Sequence, residues 1–209
     1  MGRNPLYIFL AKAAFWLPLC LGLWYWKAEW FNSPAALVSS WIMQGFFDGW
    51  VESVEWSRRT LSVLTTLELP NIPVPAERSG QVGLLVVQTN PLFYGYGLPL
   101  FAALLLSSGE ARRWRKLLFG ALALIPLQSW GVCFDILRQV AIEAGPAVRA
   151  QAGFSRWQIE VIGLGYQFGY LILPTVAPIS LWLALNRQFI PMLMLEGGLQ
   201  RSEYPGKSV

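Results

Sequence analysis

Three polar side chains at fixed intervals interrupt an otherwise apolar run. Gln128, Asp135 and Gln139 lie at i, i+7 and i+11 within Gln128-Ser-Trp-Gly-Val-Cys-Phe-Asp-Ile-Leu-Arg-Gln139, so a helix places them on one face. Asp135 and Arg138 are three residues apart, close enough on a helix to form an ion pair. An ionisable side chain inside a membrane span costs about 2.5–3.5 kcal/mol on insertion scales, so such a cluster marks either a helix end or a function. Two interpretations stay open. In one, this is the interfacial end of the helix, with Gln128 bonding to a neighbouring helix. In the other, Gln128, Asp135, Arg138 and Gln139 form a polar seam that faces a cavity or a partner.

A second segment, Gly163-Leu-Gly-Tyr-Gln-Phe-Gly-Tyr170, has the spacing of a helix contact. Gly165 and Gly169 make a G-x-x-x-G pair that lets two helix backbones approach closely. Tyr166 and Tyr170 stand one turn apart, and Gln167 is expected to meet Gln128 or Asp135. Pro174 and Pro178 should bend the helix beyond them and free carbonyls that a neighbour must satisfy. A third constellation is acidic. From Pro34 to Arg58 the spacing predicts an amphipathic helix, with Met43, Phe46, Phe47, Trp50, Val51 and Val54 on one face and Asp48, Glu52 and Glu55 on another. Membrane-surface helices carry Lys or Arg on the polar face. An acidic face therefore points to packing against the chain's own spans or to recognition of a partner.

What these residues exclude is as useful. There is no His among the 209 residues and only two Cys, Cys20 and Cys133, both in predicted spans, so neither a metal site nor a disulfide framework is expected. A cysteine nucleophile needs a base or cation beside it. Asp135 lies about 200° around the helix from Cys133 at 100° per residue, and Arg138 is poorly aligned. Serine chemistry lacks its His, no Gly-rich phosphate loop is present, and no cofactor is expected. The sequence reads as non-enzymatic.

The elements that position these groups follow from hydropathy. The chain is 55% hydrophobic and 13% charged, with a mean hydropathy of +0.43; soluble domains carry about 25% charged residues. Four apolar stretches are expected to cross a bilayer: residues 1–26 hold the first, and the others cover about 92–107, 117–137 and 161–185 of a 92–187 region. The first stretch ends in a Trp24-Tyr25-Trp26 belt. It reads as uncleaved, because the residues flanking Cys20 are large rather than small. Residues 27–91 form an extramembrane insertion: the amphipathic helix, then β-prone Thr60–Glu68 and Gln81–Thr89 joined by a long loop with Pro70, Pro73 and Pro75. Residues 188–209 read as a cytoplasmic tail. The expected fold is thus a four-transmembrane-helix bundle with an extracytoplasmic amphipathic helix and a small β-hairpin between spans one and two.

Charge sets the expected orientation. The short loop Arg112-Arg113-Trp114-Arg115-Lys116 and the other inner segments hold nine basic against three acidic residues; the outer segments hold seven against nine. The positive-inside rule then places both termini in the cytoplasm and the insertion outside, periplasmic for a bacterial inner-membrane protein. The net charge of +4 does not indicate nucleic acid, because the basic residues are dispersed or flank spans.

The segments Gln128–Val140 and Gly165-Tyr-Gln-Phe-Gly-Tyr-Leu-Ile-Leu-Pro174, continuing to Ala177-Pro178, resemble the exosortase H-associated membrane proteins, and Asn90-Pro91-Leu92 and the final span extend the resemblance over most of the chain. These are small polytopic proteins found with a membrane transpeptidase that sorts substrates by a C-terminal signal. The resemblance implies association with an exosortase-like membrane protein and carries no catalytic residues. That enzyme uses Cys, Arg and His, so a chain without His is not the enzyme. The expected function is an accessory or scaffolding subunit embedded in the lipid bilayer. Two alternatives remain at this level: a small transporter or channel component using Gln128, Asp135 and Gln167, and a structural subunit of another membrane assembly.

Overall fold

The computed structural model describes residues 5–57, 59–69, 83–109 and 112–187. The tail 188–209 and most of the proline-rich loop lie outside the described residues. Helix α1 (Pro5–Trp26) is followed directly by α2 (Ala28–Phe46). Three strands come next, β1 (Val51–Ser57), β2 (Thr60–Glu68) and β3 (Leu84–Thr89). A short helix α3 (Leu92–Gly95) leads into α4 (Gly97–Ser107). Helix α5 (Arg113–Arg138) runs on through a π-helical turn, Gln139–Glu143, to α6 (Pro146–Gln151). The described residues end with α7 (Arg156–Gln167), a second π-helical turn at Phe168–Ile172 and α8 (Leu173–Leu185).

Three continuous helical stretches among the described residues are long and apolar enough to cross a membrane: Leu6–Trp26, Arg113–Glu143 and Arg156–Leu185. The expected second span, Leu92–Ser107, is a shorter apolar helix, about 24 Å long at 1.5 Å per residue and broken at Tyr96. Many outward side chains of these helices are large and apolar, among them Leu10, Phe15, Leu19 and Leu23 of α1 and Leu118 and Leu122 of α5, as a lipid environment requires.

The amphipathic helix expected over 34–58 is cut short. Helix α2 ends at Phe46, and Asp48-Gly49 turns the chain into β1, so the insertion carries a three-stranded antiparallel sheet of order β1-β2-β3 rather than a hairpin alone. Asp48, Glu52 and Glu55 therefore do not form a helix face. Asp48 lies in the turn and the two glutamates lie on β1. Between Val51 and Ser53 the register slips by one, leaving Glu52 as a bulge residue without a ladder partner, while Glu55 pairs with Ser62. The bulge shifts the strand's phase, so both glutamates end up exposed although their odd spacing would put them on opposite faces of a regular strand. The expected pairing of Thr60–Glu68 with the strand ending at Thr89 is present, Leu61 opposite Thr89 and Val63 opposite Val87.

The buried face of the sheet (Leu61, Val63, Leu67 and Val87) packs with Met43 and Trp50 onto the C-terminal part of α5, at Val132, Cys133, Ile136 and Leu137, and onto Val140 of the π-helical turn. Helix α2 reaches α5 through a stripe of small buried residues, Ala28, Ala35, Ala36 and Ser39. The Ser129 hydroxyl of α5 donates to the Ala35 carbonyl at 3.1 Å. Pro34 cannot serve the Trp30 carbonyl, and the Ser33 hydroxyl donates to it at 3.0 Å instead. At the opposite end a second core joins Phe101, Leu105, Leu124 and Trp182, with Phe9 of α1 stacked on Trp182. There Lys116 donates to Asn186 Oδ1 at 2.8 Å, tying the start of α5 to the end of α8.

The expected close contact between Gly165/Gly169 and the third span is present, and it uses a third glycine, Gly131. A Cβ on Gly169 would lie 2.9 Å from Gly131 Cα, and one on Gly165 would overlap the Phe134 ring. The Trp130 indole donates to the Gly165 carbonyl at 3.1 Å across the same crossing. Because backbone cannot retreat, Gly169→Val is expected to cost about 1–3 kcal/mol, the usual range for overpacking. Gly163→Ala on the same helix meets only the end of the Ile142 side chain at 3.8 Å and should be neutral or mildly stabilising. Reversible unfolding of the two purified variants in mixed micelles checks the contrast; equal stabilities would show that the crossing is not tight.

Candidate functional site

Asp135, Arg138 and Gln139 come together where the sheet meets the end of α5. Thr89 at the end of β3 donates from its hydroxyl to Asp135 Oδ2 at 2.5 Å. Arg138 pairs with Asp135 Oδ1 at 3.0 Å, and Gln139 Nε2 lies 3.4 Å from Oδ2 while also donating to the Gln88 carbonyl at 3.1 Å. Asp135 is 8% exposed, so a carboxylate almost removed from water is held by a hydroxyl, a guanidinium and an amide drawn from two elements. Burying a charge is costly unless it is paired and hydrogen-bonded, and here it is both.

The π-helical turn completes the set. In an α-helix, residues five apart diverge by about 140°, which hides any relation between Arg138 and Glu143. The turn at Gln139–Glu143 has i→i+5 closure, Ala144 N–H bonding to the Gln139 carbonyl at 2.8 Å, and brings Glu143 onto Arg138 as a second ion-pair partner. Arg149 Nε donates to the Ala141 carbonyl at 2.7 Å, bonding a main-chain acceptor within the turn. The Arg138 guanidinium also lies over the Tyr166 ring at 4.2 Å, and Tyr166 stacks on Tyr170 with centroids 5.7 Å apart. Tyr94 meets Tyr170 edge-on at 6.1 Å.

Around this network opens a cavity of about 500 Å³. Thr60, Gln88, Thr89 and Asn90 form its sheet side; Asp135, Arg138, Gln139, Glu143, Tyr166 and Tyr170 form its helix side. A neighbouring cavity of about 600 Å³ shares Asn90, Phe93 and Tyr170 and continues toward Trp24, Tyr25 and Arg59 at the end of α1. Arg59 donates to the Tyr25 carbonyl at 3.3 Å and covers the Tyr25 ring. Together they make an aromatic cleft with a paired ionic centre, bounded by sheet on one side and helix ends on the other. Among the described residues its groups are placed to offer hydrogen bonds, a paired guanidinium and aromatic faces.

The structure thus brings together Asp135, Arg138, Gln139, Tyr166 and Tyr170 from the expected set, and adds Thr89, Glu143 and Tyr94. Gln128 does not join them: it is buried in α5, two turns before Asp135, about 10 Å along the axis. Gln167 meets neither Gln128 nor Asp135. It is exposed on the other side of the helix, in a groove of about 520 Å³ lined by Trp130, Phe134, Leu164 and Phe168. The physical reason is angular: Tyr166 and Tyr170 face the cleft, and Gln167, about 100° further round the helix than Tyr166, lines the groove instead. Gln128, Asp135 and Gln167 therefore do not share one seam. Asp48, Glu52 and Glu55 line none of these cavities. Thr89 carries no local signal for its role, which depends on a strand 46 residues away in sequence folding onto α5. A Pro immediately after Gly145 marks a break, and that was the available hint that the helix end at Glu143 is irregular.

Three apolar helices long enough to span a bilayer, with a small sheet and a cleft where the two meet, define a membrane protein. Residues 3–189 match the family of exosortase H-associated membrane proteins, and the chain belongs to it. No curated protein and no solved structure matches the chain.

If the Asp135 network joins sheet to bundle, Asp135→Ala should destabilise by about 1.5–3 kcal/mol, the range for hydrogen bonds to a charged group. Glu143→Gln should cost under about 1 kcal/mol, because Glu143 is half exposed. Chemical denaturation of the purified variants in detergent ranks them; the reverse order would contradict the geometry.

Proposed function

We propose that the chain is a non-enzymatic accessory subunit that scaffolds an exosortase-type protein-sorting transpeptidase and offers it a surface for its substrate. One observation carries this reading: in a member of an exosortase H-associated family, the largest concentration of fixed polar and aromatic groups forms an open cleft where the sheet joins the helix ends. The residue inventory supports the non-enzymatic part. The chain contains no His, and Cys133 is 5% exposed in the apolar core beneath the sheet, where a thiolate has no access to a substrate.

In this reading Leu92–Ser107 is the second of four spans, a short one whose Gly97 packs against the carbonyl of Pro174 and which leans on α8. Both termini are cytoplasmic, the basic loop beside Arg112–Lys116 is inside, and the sheet faces the periplasm of a bacterial inner membrane. Single cysteines test the orientation. A cysteine in place of Ser62 on β2 should be labelled by a membrane-impermeant maleimide in cells with a permeabilised outer membrane. One in place of Arg115 should be labelled only after the inner membrane is broken. The opposite pattern would overturn the orientation.

The association itself is tested by purifying the tagged chain from its native membranes in mild detergent and weighing what co-elutes. Stoichiometric recovery of a polytopic transpeptidase with a Cys, Arg and His set is the expected result, together with loss of substrate processing when the chain is deleted. Recovery of the chain alone, with processing intact in the deletion strain, would reject the accessory role.

A further inference from the structure

The cleft lies at one depth in the bilayer. At 1.5 Å per residue, Tyr25 is about 28 Å along α1 from Leu6, and Asp135 is about as far along α5 from Lys116. Tyr166 is again about 28 Å from Leu185 through α7 and α8. A hydrocarbon core is about 30 Å thick. All three helices therefore carry their cleft residues to the boundary between acyl chains and headgroups. The exposed rings of Tyr25 and Trp26 belong at that same level.

At this level the two cavities differ in charge. In the 500 Å³ cavity Arg138 is already held between Asp135 and Glu143, so carboxylates outnumber guanidinium and an anion gains little there. In the cavity of about 600 Å³ the only charged lining residue is Arg59, in the turn between β1 and β2. Its guanidinium stacks over the Tyr25 ring at 4.6 Å and donates from one nitrogen to the Tyr25 carbonyl at 3.3 Å. Among the described residues no carboxylate pairs with it. A guanidinium carries several N–H donors in a rigid fork suited to phosphate, and the stack on Tyr25 holds that fork in place.

The rest of this cavity is aromatic and aliphatic. Phe93 is 58% exposed, and Leu171, which follows Tyr170 toward the membrane interior, is 63% exposed. The longer undescribed segments join the described chain elsewhere: 70–82 between Leu69 and Gly83 at the opposite end of the sheet, 1–4 and 188–209 at the opposite ends of α1 and α8. A cation at headgroup depth beside an open apolar slot complements an amphiphile with one negative group and a hydrocarbon chain. We infer that this cavity binds a phospholipid, its phosphodiester on Arg59 and an acyl chain along Phe93 and Leu171. Such a site goes beyond the accessory role and does not depend on it.

The test is native mass spectrometry of the full chain, delipidated in dodecyl maltoside and titrated with dioleoyl-phosphatidylglycerol, with dioleoylglycerol or with inorganic phosphate. One phosphatidylglycerol should be retained, while dioleoylglycerol, which has the same chains and no phosphate, is not. Arg59→Gln should weaken that binding about tenfold or more, the loss of a hydrogen bond to a charged group, and Arg59→Lys should weaken it less. Arg156→Gln removes an equal charge at an exposed position outside the cavity and should leave binding unchanged. Equal retention of the two lipids, or equal effects of Arg59→Gln and Arg156→Gln, overturns the inference. Displacement of the lipid by inorganic phosphate would mean a free-anion site and overturns it too. If Arg59→Gln does not fold, the unsubstituted chain decides, photo-crosslinked to phosphatidylglycerol with a diazirine in its acyl chain. Adducts concentrated at Phe93, Tyr96 and Leu171 support the site; adducts spread evenly over the exposed faces of α1 and α5 are ordinary surrounding lipid and remove it.

Discussion

The placement of one carboxylate governs how the sheet and the helices form a single body. Asp135 sits near the end of α5 with little access to water, and its oxygens are shared among Thr89 from β3, Arg138 one turn further along and Gln139. A buried charge with any of these partners missing would be unfavourable, so the strand must arrive at one register and the helix must end in one geometry. A hydroxyl donating to a carboxylate at 2.5 Å is among the shorter and stronger protein hydrogen bonds. A three-stranded sheet this small cannot stand alone. It is held by the apolar contact under Leu61, Val63 and Val87, by Asp135 at one end, and by Gln151 of α6, which exchanges two hydrogen bonds with the main chain of Glu68 at the other.

Close helix approach provides the second constraint. Gly131 against Gly169, Gly165 against Phe134 and Gly120 against Phe101 remove side chains where helices meet, which substitutes for the hydrophobic drive that lipid does not supply. Two π-helical turns then adjust phase. The one at Gln139–Glu143 assembles the ion pairs. The one at Phe168–Ile172 ends two residues before Pro174, whose ring cannot follow a regular helical turn, and the Thr175 hydroxyl lies 3.3 Å from the Leu171 carbonyl and 3.2 Å from that of Ile172.

Three of the four expected spans were legible because length and hydropathy are composition-level properties, and the glycine crossing was legible because small residues at i and i+4 have one main use in an apolar helix. The Asp135–Arg138–Gln139 group was legible from α-helical spacing. Glu143 was not, because its relation to Arg138 exists only in a π-helical turn. The acidic face was misread for a related reason. Asp48, Glu52 and Glu55 have helical spacing, but Gly45 and Gly49 weaken the helix there and a β-bulge reproduces the same exposure on a strand. Gln167 shows the limit of pairing polar residues across helices by type: its neighbours Tyr166 and Tyr170 take the cleft side, and it faces the apolar groove.

Membership of an exosortase H-associated family and a cleft built where sheet meets helix ends fit together only if the sheet is a rigid extension of the bundle rather than a loosely tethered appendage. A double-mutant cycle on Thr89→Val and Asp135→Asn, read by reversible unfolding in detergent, measures that rigidity at its source. A coupling of about 1 kcal/mol or more is predicted for a charge-assisted bond between sheet and helix. Additive effects of the two substitutions would contradict it, and with it the account of how the cleft is held in place.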